Sequence, residues 1–75
     1  MIYKVGFKPI AVSHHNMTRY VYVKEEDIDY IQSVVDDDDY EYLEMWLKRD
    51  IKIVYNNRQF KSTDNLKFID SIESI

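Results

Sequence analysis

Hydrophobic and polar residues alternate along Ile2–Phe7. Tyr3, Val5 and Phe7 take one face; Ile2, Lys4 and Gly6 take the other. This is the period of a half-buried strand. Pro9 ends the run, because proline cannot continue a ladder. Ile10–Met17 then reads as a loop with Ser13-His14-His15-Asn16 at its polar centre. Thr18–Lys24 alternates again, placing Val21 and Val23 with Arg19, and Tyr20 and Tyr22 with Thr18 and Lys24. Its β-branched and aromatic residues suit a pleated, half-buried surface.

From Glu25 the apolar spacing changes. Ile28, Ile31, Val34 and Val35 recur at i, i+3, i+6 and i+7, which predicts a helix over Glu25–Val35. Tyr40, Leu43, Trp46 and Leu47 predict a second over Tyr40–Arg49. Acids in the first turn of the one and Lys48 and Arg49 in the last turn of the other suit the helix dipole. Asp36–Asp39 separates the stripes. Aspartate is a poor helix-interior residue and a good N-cap, so two helices are expected, the second capped by Asp38 or Asp39. One continuous helix is the alternative.

Ile51–Tyr55 and Arg58–Ser62 flank Asn56-Asn57, a dipeptide that tolerates the left-handed backbone of a hairpin turn. Thr63 or Asp64 could cap a last short helix carrying Leu66, Phe68, Ile69, Ile72 and Ile75, or that tail could be a strand. The expected fold is therefore one α+β domain over residues 1–75, in the order ββααββ(α), with a helical pair on one face of an antiparallel sheet.

Charge alters this picture more than composition does. Residues 25–47 hold ten carboxylates and no lysine or arginine. Residues 1–24 hold four bases and no acid, and residues 48–75 hold six bases and four acids. The net charge of −4 hides a polarised chain. On the expected helices Glu25, Asp29 and Asp36, and Asp37, Glu41 and Glu44, lie opposite the apolar stripes. Like charges four apart, as at Glu25/Asp29 and Asp37/Glu41, would each cost a few tenths of a kcal/mol, about 0.2–0.5. A local cost without local compensation points to function. Ten charges on helices of about 17 Å approach the charge density of duplex DNA, about one per 1.7 Å. A DNA-mimic surface is thus expected, with a basic protein as its partner. Tyr42 and Met45 lie beside the acids, and both residue types are enriched at interfaces. The candidate partner-binding residues are Asp36, Asp37, Asp38, Asp39, Glu41, Tyr42, Glu44 and Met45.

A second constellation is a sheet face carrying Lys4, Tyr20, Tyr22, Lys24 and Lys52, which could stack bases and hold phosphates. The net charge of −4 makes this the weaker reading. Gly6 stands alone, so no glycine-rich phosphate loop exists. His14-His15 lacks the convergent ligands of a metal site. A calcium loop starting at Asp36 would have Tyr40 at its fifth position and Leu47 at its twelfth. There is no cysteine, and Ser13-His14 is adjacency rather than triad geometry. No catalytic, metal or cofactor residue is assigned, and the chain reads as non-enzymatic.

The chain is 45% hydrophobic with seven tyrosines, too apolar for a disordered protein. A domain this small and without disulfides often completes its core with another chain, so a homodimer is an alternative. No signal peptide or membrane span is read, which makes a cytoplasmic location the expectation. Gly, Ala, Pro and Arg, with GC-rich codons, supply six residues against 33 from residue types with AT-rich codons, which suggests an AT-rich genome such as a low-GC bacterium, its phages or a mobile element.

The opening Met1-Ile2-Tyr3-Lys4-Val5 resembles the RNA polymerase epsilon subunit of low-GC bacteria over about five residues. That resemblance implies an accessory subunit docked on a larger machine. The leading expectation is a small acidic protein that binds and inhibits a larger partner, in its most concrete form a phage inhibitor of a host nucleic-acid enzyme or defence system. The alternatives are the accessory subunit, a single-stranded nucleic-acid binder, and a small-ligand sponge at a dimer seam using His14, His15 or Arg19.

Overall fold

β1 (Ile2–Phe7) and β2 (Arg19–Lys24) form where the alternation places them and pair antiparallel, Tyr3 opposite Val23 and Val5 opposite Val21. Beyond Lys24 the computed structural model departs from expectation. A single 3-10 turn, Glu25–Asp27, leads into β3 (Ile28–Val35), β4 (Glu41–Tyr55), β5 (Gln59–Leu66) and β6 (Ile69–Ser74). The structure describes residues 1–8, 18–55 and 59–75, and the side chains among them outside 53–61. The described residues form an all-β fold, which overturns the expected α+β fold and its helical pair. The expectations for Pro9, for His14 and His15, and for the turn at Asn56-Asn57 lie outside the described residues.

The reason lies in how densely apolar residues occur between positions 28 and 47. Ile28, Ile31, Val34 and Val35 fit a helical stripe, but the same eight residues are mostly β-branched or aromatic, which favours a strand. In 41–47 the period-2 reading also holds. Leu43, Met45 and Leu47 share one face, while Tyr42, Glu44 and Trp46 share the other. When both periods fit, pairing partners decide. Here β3 and β4 pair with each other, Ile31 opposite Met45 and Val34 opposite Tyr42. The expected second helix is the first half of one long strand that continues through the expected strand Ile51–Tyr55. Pairing with β5 is irregular between Trp46 and Ile51. The C-terminal tail adopts its strand alternative: β6 pairs with β1, Val5 opposite Ile72.

The sheets are β2-β1-β6 and β3-β4-β5, so β1 and β4 are central and β2, β6, β3 and β5 are edges. Val5, Phe7 and Val23 from the first sheet meet Met45, Leu47 and Leu66 from the second. Among the described residues six apolar side chains are buried, and each fully buried one contributes about 1.5–3 kcal/mol. Tyr3, Val21, Ile28, Ile51 and Ile69 pack around it. The chain crosses between sheets at Glu25–Asp27 and again at Lys67-Phe68. At the second crossing Phe68 takes a left-handed backbone, φ 56°, unusual for a bulky residue. Its ring lies 4.3 Å from that of Tyr42, and its carbonyl accepts the Lys8 N–H at 3.1 Å. These contacts hold a conformation that would otherwise cost about 1–3 kcal/mol.

Candidate partner-binding surface

Asp36–Asp39, expected to break and cap helices, is instead the turn of the β3–β4 hairpin. The Asp39 N–H donates to the Asp36 carbonyl at 3.1 Å, and the Asp36 N–H donates to the Tyr40 carbonyl at 3.0 Å. Asp39 takes the left-handed conformation, φ 60°, as the residue closing a three-residue hairpin loop must. The Asp36 carboxylate accepts from the N–H groups of both Asp38 and Tyr40, each at 2.9 Å. This is the side-chain-to-backbone bonding that makes aspartate a turn residue. The property that suggested an N-cap thus operates in a different element.

Asp37, Asp38 and Asp39 are exposed at the hairpin tip. Glu41 is exposed one residue past the turn, and its carboxylate accepts the Ser33 hydroxyl at 2.7 Å. Glu44 is not on the surface. It is 5% exposed and sits between Gln32, whose Nε2 donates at 2.8 Å, and Trp46, whose Nε1 donates to the same oxygen. Lys67 lies 3.9 Å from its other oxygen. A carboxylate so enclosed holds β3, β4 and the sheet crossing together, since burying it without donors would be costly. Met45 is fully buried in the core. Tyr42 is half-buried against Phe68, with Tyr40 beside both. Of the residues expected to meet a partner, the fold places Asp36, Asp37, Asp38, Asp39 and Glu41 outward and takes Glu44 and Met45 inward. The charge-density comparison with DNA rested on the helical hairpin and falls with it.

Pattern reading missed the apolar residues on the open side of the molecule. Ile31 is 45% exposed, Val35 59% and Leu43 42%. All three share the face of the second sheet that carries Met45 and Leu47, yet none belongs to the buried core. The helical spacing places them on buried stripes. The available signal was that β3 carries apolar residues on both faces, Ile31 and Val35 on one and Tyr30 and Val34 on the other. A small core cannot cover both.

Two clefts open on this side. One, about 350 Å³, is lined by Tyr3, Glu25, Ile28, Ile31 and Ile72. The other, about 290 Å³, is lined by Ser33, Glu41, Tyr42, Leu43 and Ile69. Each spans the edge strands β3 and β6 and carries one carboxylate. At the start of the acidic block Arg49 reaches Asp27 at 3.2 Å, with the Arg49 side chain largely exposed, a contact of little energetic weight.

The tyrosine–lysine face is brought together as expected, with one exception. Lys4, Tyr20, Tyr22 and Lys24 share the outer face of the first sheet, whereas Lys52 lies on β4 in the other sheet. The face is internally partnered. The Tyr20 ring lies over Gly6, where an added Cβ would meet it at 3.0 Å and Ser71 Oγ at 2.7 Å. The Lys4 ammonium lies 4.6 Å from the Tyr20 ring centre, a cation–π distance. Glu73 is the cross-strand neighbour of Lys4.

Among the described residues, no group of three metal-ligating side chains converges, and no helix is long and apolar enough to cross a membrane. No family model, curated protein or solved structure matches the chain.

Proposed function

We propose that this chain is a non-enzymatic binding protein that engages a basic surface on a larger protein through the β3–β4 hairpin and its lead-in. The observation that carries this reading is the gathering of the ten acids and no base of residues 25–47 into one hairpin and the turn before it. Exposed Ile31, Val35, Tyr40 and Leu43 lie beside them. Charge of one sign steers an oppositely charged partner into contact, and apolar side chains within a polar rim supply area to bury once it arrives. Glu44 is excluded from the interface because Gln32, Trp46 and Lys67 already satisfy it. A nucleic-acid-binding protein has the matching basic chemistry, and occupying its groove would inhibit it.

The test compares two baits in one bacterial lysate, the natural chain and Asp37→Lys/Asp38→Lys. This pair of sites reverses charge at the tip while sparing Asp36, which bonds the turn, and Asp39, which holds the positive φ. A partner captured by the natural chain at low salt, and lost with the double variant or at high salt, is the expected result. A partner held equally by both baits would refute the acidic-hairpin reading.

A further inference from the structure

We infer that the free edge of β3 is a docking site for an extended, basic segment of a partner protein, which adds to the second sheet as a further antiparallel or parallel strand. This deepens the reading of the hairpin as the partner-binding surface, and rests on it. The backbone supplies the first part of the case. The Asp36 N–H to Tyr40 carbonyl bond makes that pair a hydrogen-bonded one. Bonded and non-bonded pairs alternate along an antiparallel ladder. Counting back in steps of two through the register, Val34, Gln32 and Tyr30 direct their N–H and C=O groups at β4. Ile31, Ser33 and Val35 therefore direct theirs away from it. Among the described residues β3 pairs only with β4, so these groups form an open template.

Edge strands are usually guarded by charge, proline or bulges. β6 carries Asp70 and Glu73 within its six residues. β3 has a bulge near Asp29, but from Tyr30 to Val35 it has no charged residue and no proline. A strand left open in this way favours pairing with another chain.

The occupant follows from the ends of that edge. Glu25, Glu26, Asp27 and Asp29 stand at one end and Asp36–Asp39 at the other. A second copy pairing antiparallel would set each acidic end against the other copy's acidic end, like charge on like. A segment with basic residues at both ends meets carboxylates in either direction. The two clefts behind the edge supply side-chain sites. Alternate residues of an added strand, about 7 Å apart, would turn toward Ile31 and Ile72 in one cleft and Leu43 and Ile69 in the other. Glu25 and Glu41, one in each cleft, are placed for lysine or arginine.

The probe is a nine-residue peptide with valine at alternate central positions and a Lys-Arg pair at each end. Its control has the same centre and Glu-Asp ends. Amide hydrogen exchange of the full chain with the basic peptide should slow at Ile31, Ser33 and Val35 by about tenfold or more, and stay unchanged at Gln32 and Val34. Ser33→Pro removes one outward N–H at a position where an edge strand tolerates proline, and should weaken binding about tenfold or more. Ser33→Ala also loses the hydroxyl bond to Glu41 but keeps the N–H, so the contribution of the amide is read as Ser33→Pro against Ser33→Ala. If Ser33→Pro fails to fold, the exchange pattern decides alone. The inference is overturned if the basic peptide protects none of the three amides, or if the acidic-ended control protects them equally. Protection that rises with protein concentration alone overturns it too, by making a second copy the occupant. Binding that survives Ser33→Pro but is lost in Asp37→Lys/Asp38→Lys would remove the edge and leave the acidic hairpin standing.

Discussion

The outer face of β1–β2 and the open side of β3–β4 both show large apolar residues to water, yet they are built on opposite terms. Tyr20 is 58% exposed and Tyr22 63%. Tyr20 nevertheless has a glycine beneath it and a lysine over it, and its strand presents basic residues at its ends. Ile31, Val35 and Leu43 are exposed to a similar degree, but they border clefts and a run of edge, from Tyr30 to Val35, with no charged residue in it. Exposure alone therefore does not mark an interface. What separates the two regions is whether the fold already supplies partners, to the side chain and to the backbone beside it.

The contrast can be broken most directly through stability. Phe7→Ala should cost about 3–5 kcal/mol, since it empties a fully enclosed site in the core. A domain of this size is left marginal or unfolded by such a loss. Ile31→Ala should cost about 1 kcal/mol or less, because close to half of that side chain already meets water. Urea titration of both variants is the check. Comparable losses would mean that β3 is covered after all.

The next largest effect concerns the sheet face that is internally partnered. Gly6→Val places methyl groups where the Tyr20 ring and Ser71 Oγ lie, at 3.0 and 2.7 Å from the first added carbon. A cost of about 1–3 kcal/mol is expected from the overpacking. Removing the ring with Tyr20→Ala should recover part of it, which a double-mutant cycle measures. Strictly additive losses would show that Tyr20 does not rest on Gly6.

The smallest effect lies at the hairpin tip. Asp36→Ala removes the acceptor of two backbone N–H groups and should lower stability by about 1 kcal/mol. Asp38→Ala should stay within about 0.5 kcal/mol, the usual range for an exposed site whose side chain the fold does not use. Thermal melts of the two variants sharpen the difference between an acid that folds the turn and one displayed by it.

Part of this fold was legible in the pattern. The faces of β1 and β2 follow from strict alternation in short runs, where no helical reading competes. Ile51–Tyr55 likewise alternates and is a strand. Residues 28–47 were not legible, because the apolar positions satisfied both a period near 3.6 and a period of 2. The aspartate run was ambiguous for a related reason. One carboxylate one atom from Cβ bonds nearby N–H groups equally well at a helix N-terminus and in a hairpin turn. The candidate surface was legible as charge and illegible as shape. Acids at 36–39 and 41 were expected outward and are outward, whereas Glu44 and Met45 were expected beside them and are inside.

The sequence by itself determined the polarity of charge along the chain, the inward faces of β1 and β2, and the capacity of Asp36–Asp39 to break regular structure. Each depends only on residue type and near-neighbour spacing. Tertiary structure decided that 28–47 is a hairpin, that Glu44 is enclosed and Met45 buried, and that β3 pairs only with β4 among the described residues. Those outcomes depend on which distant segments pair, Met45 with Leu66 on one side and Ile31 on the other. Pairing energy is shared between strands, so neither strand encodes it alone.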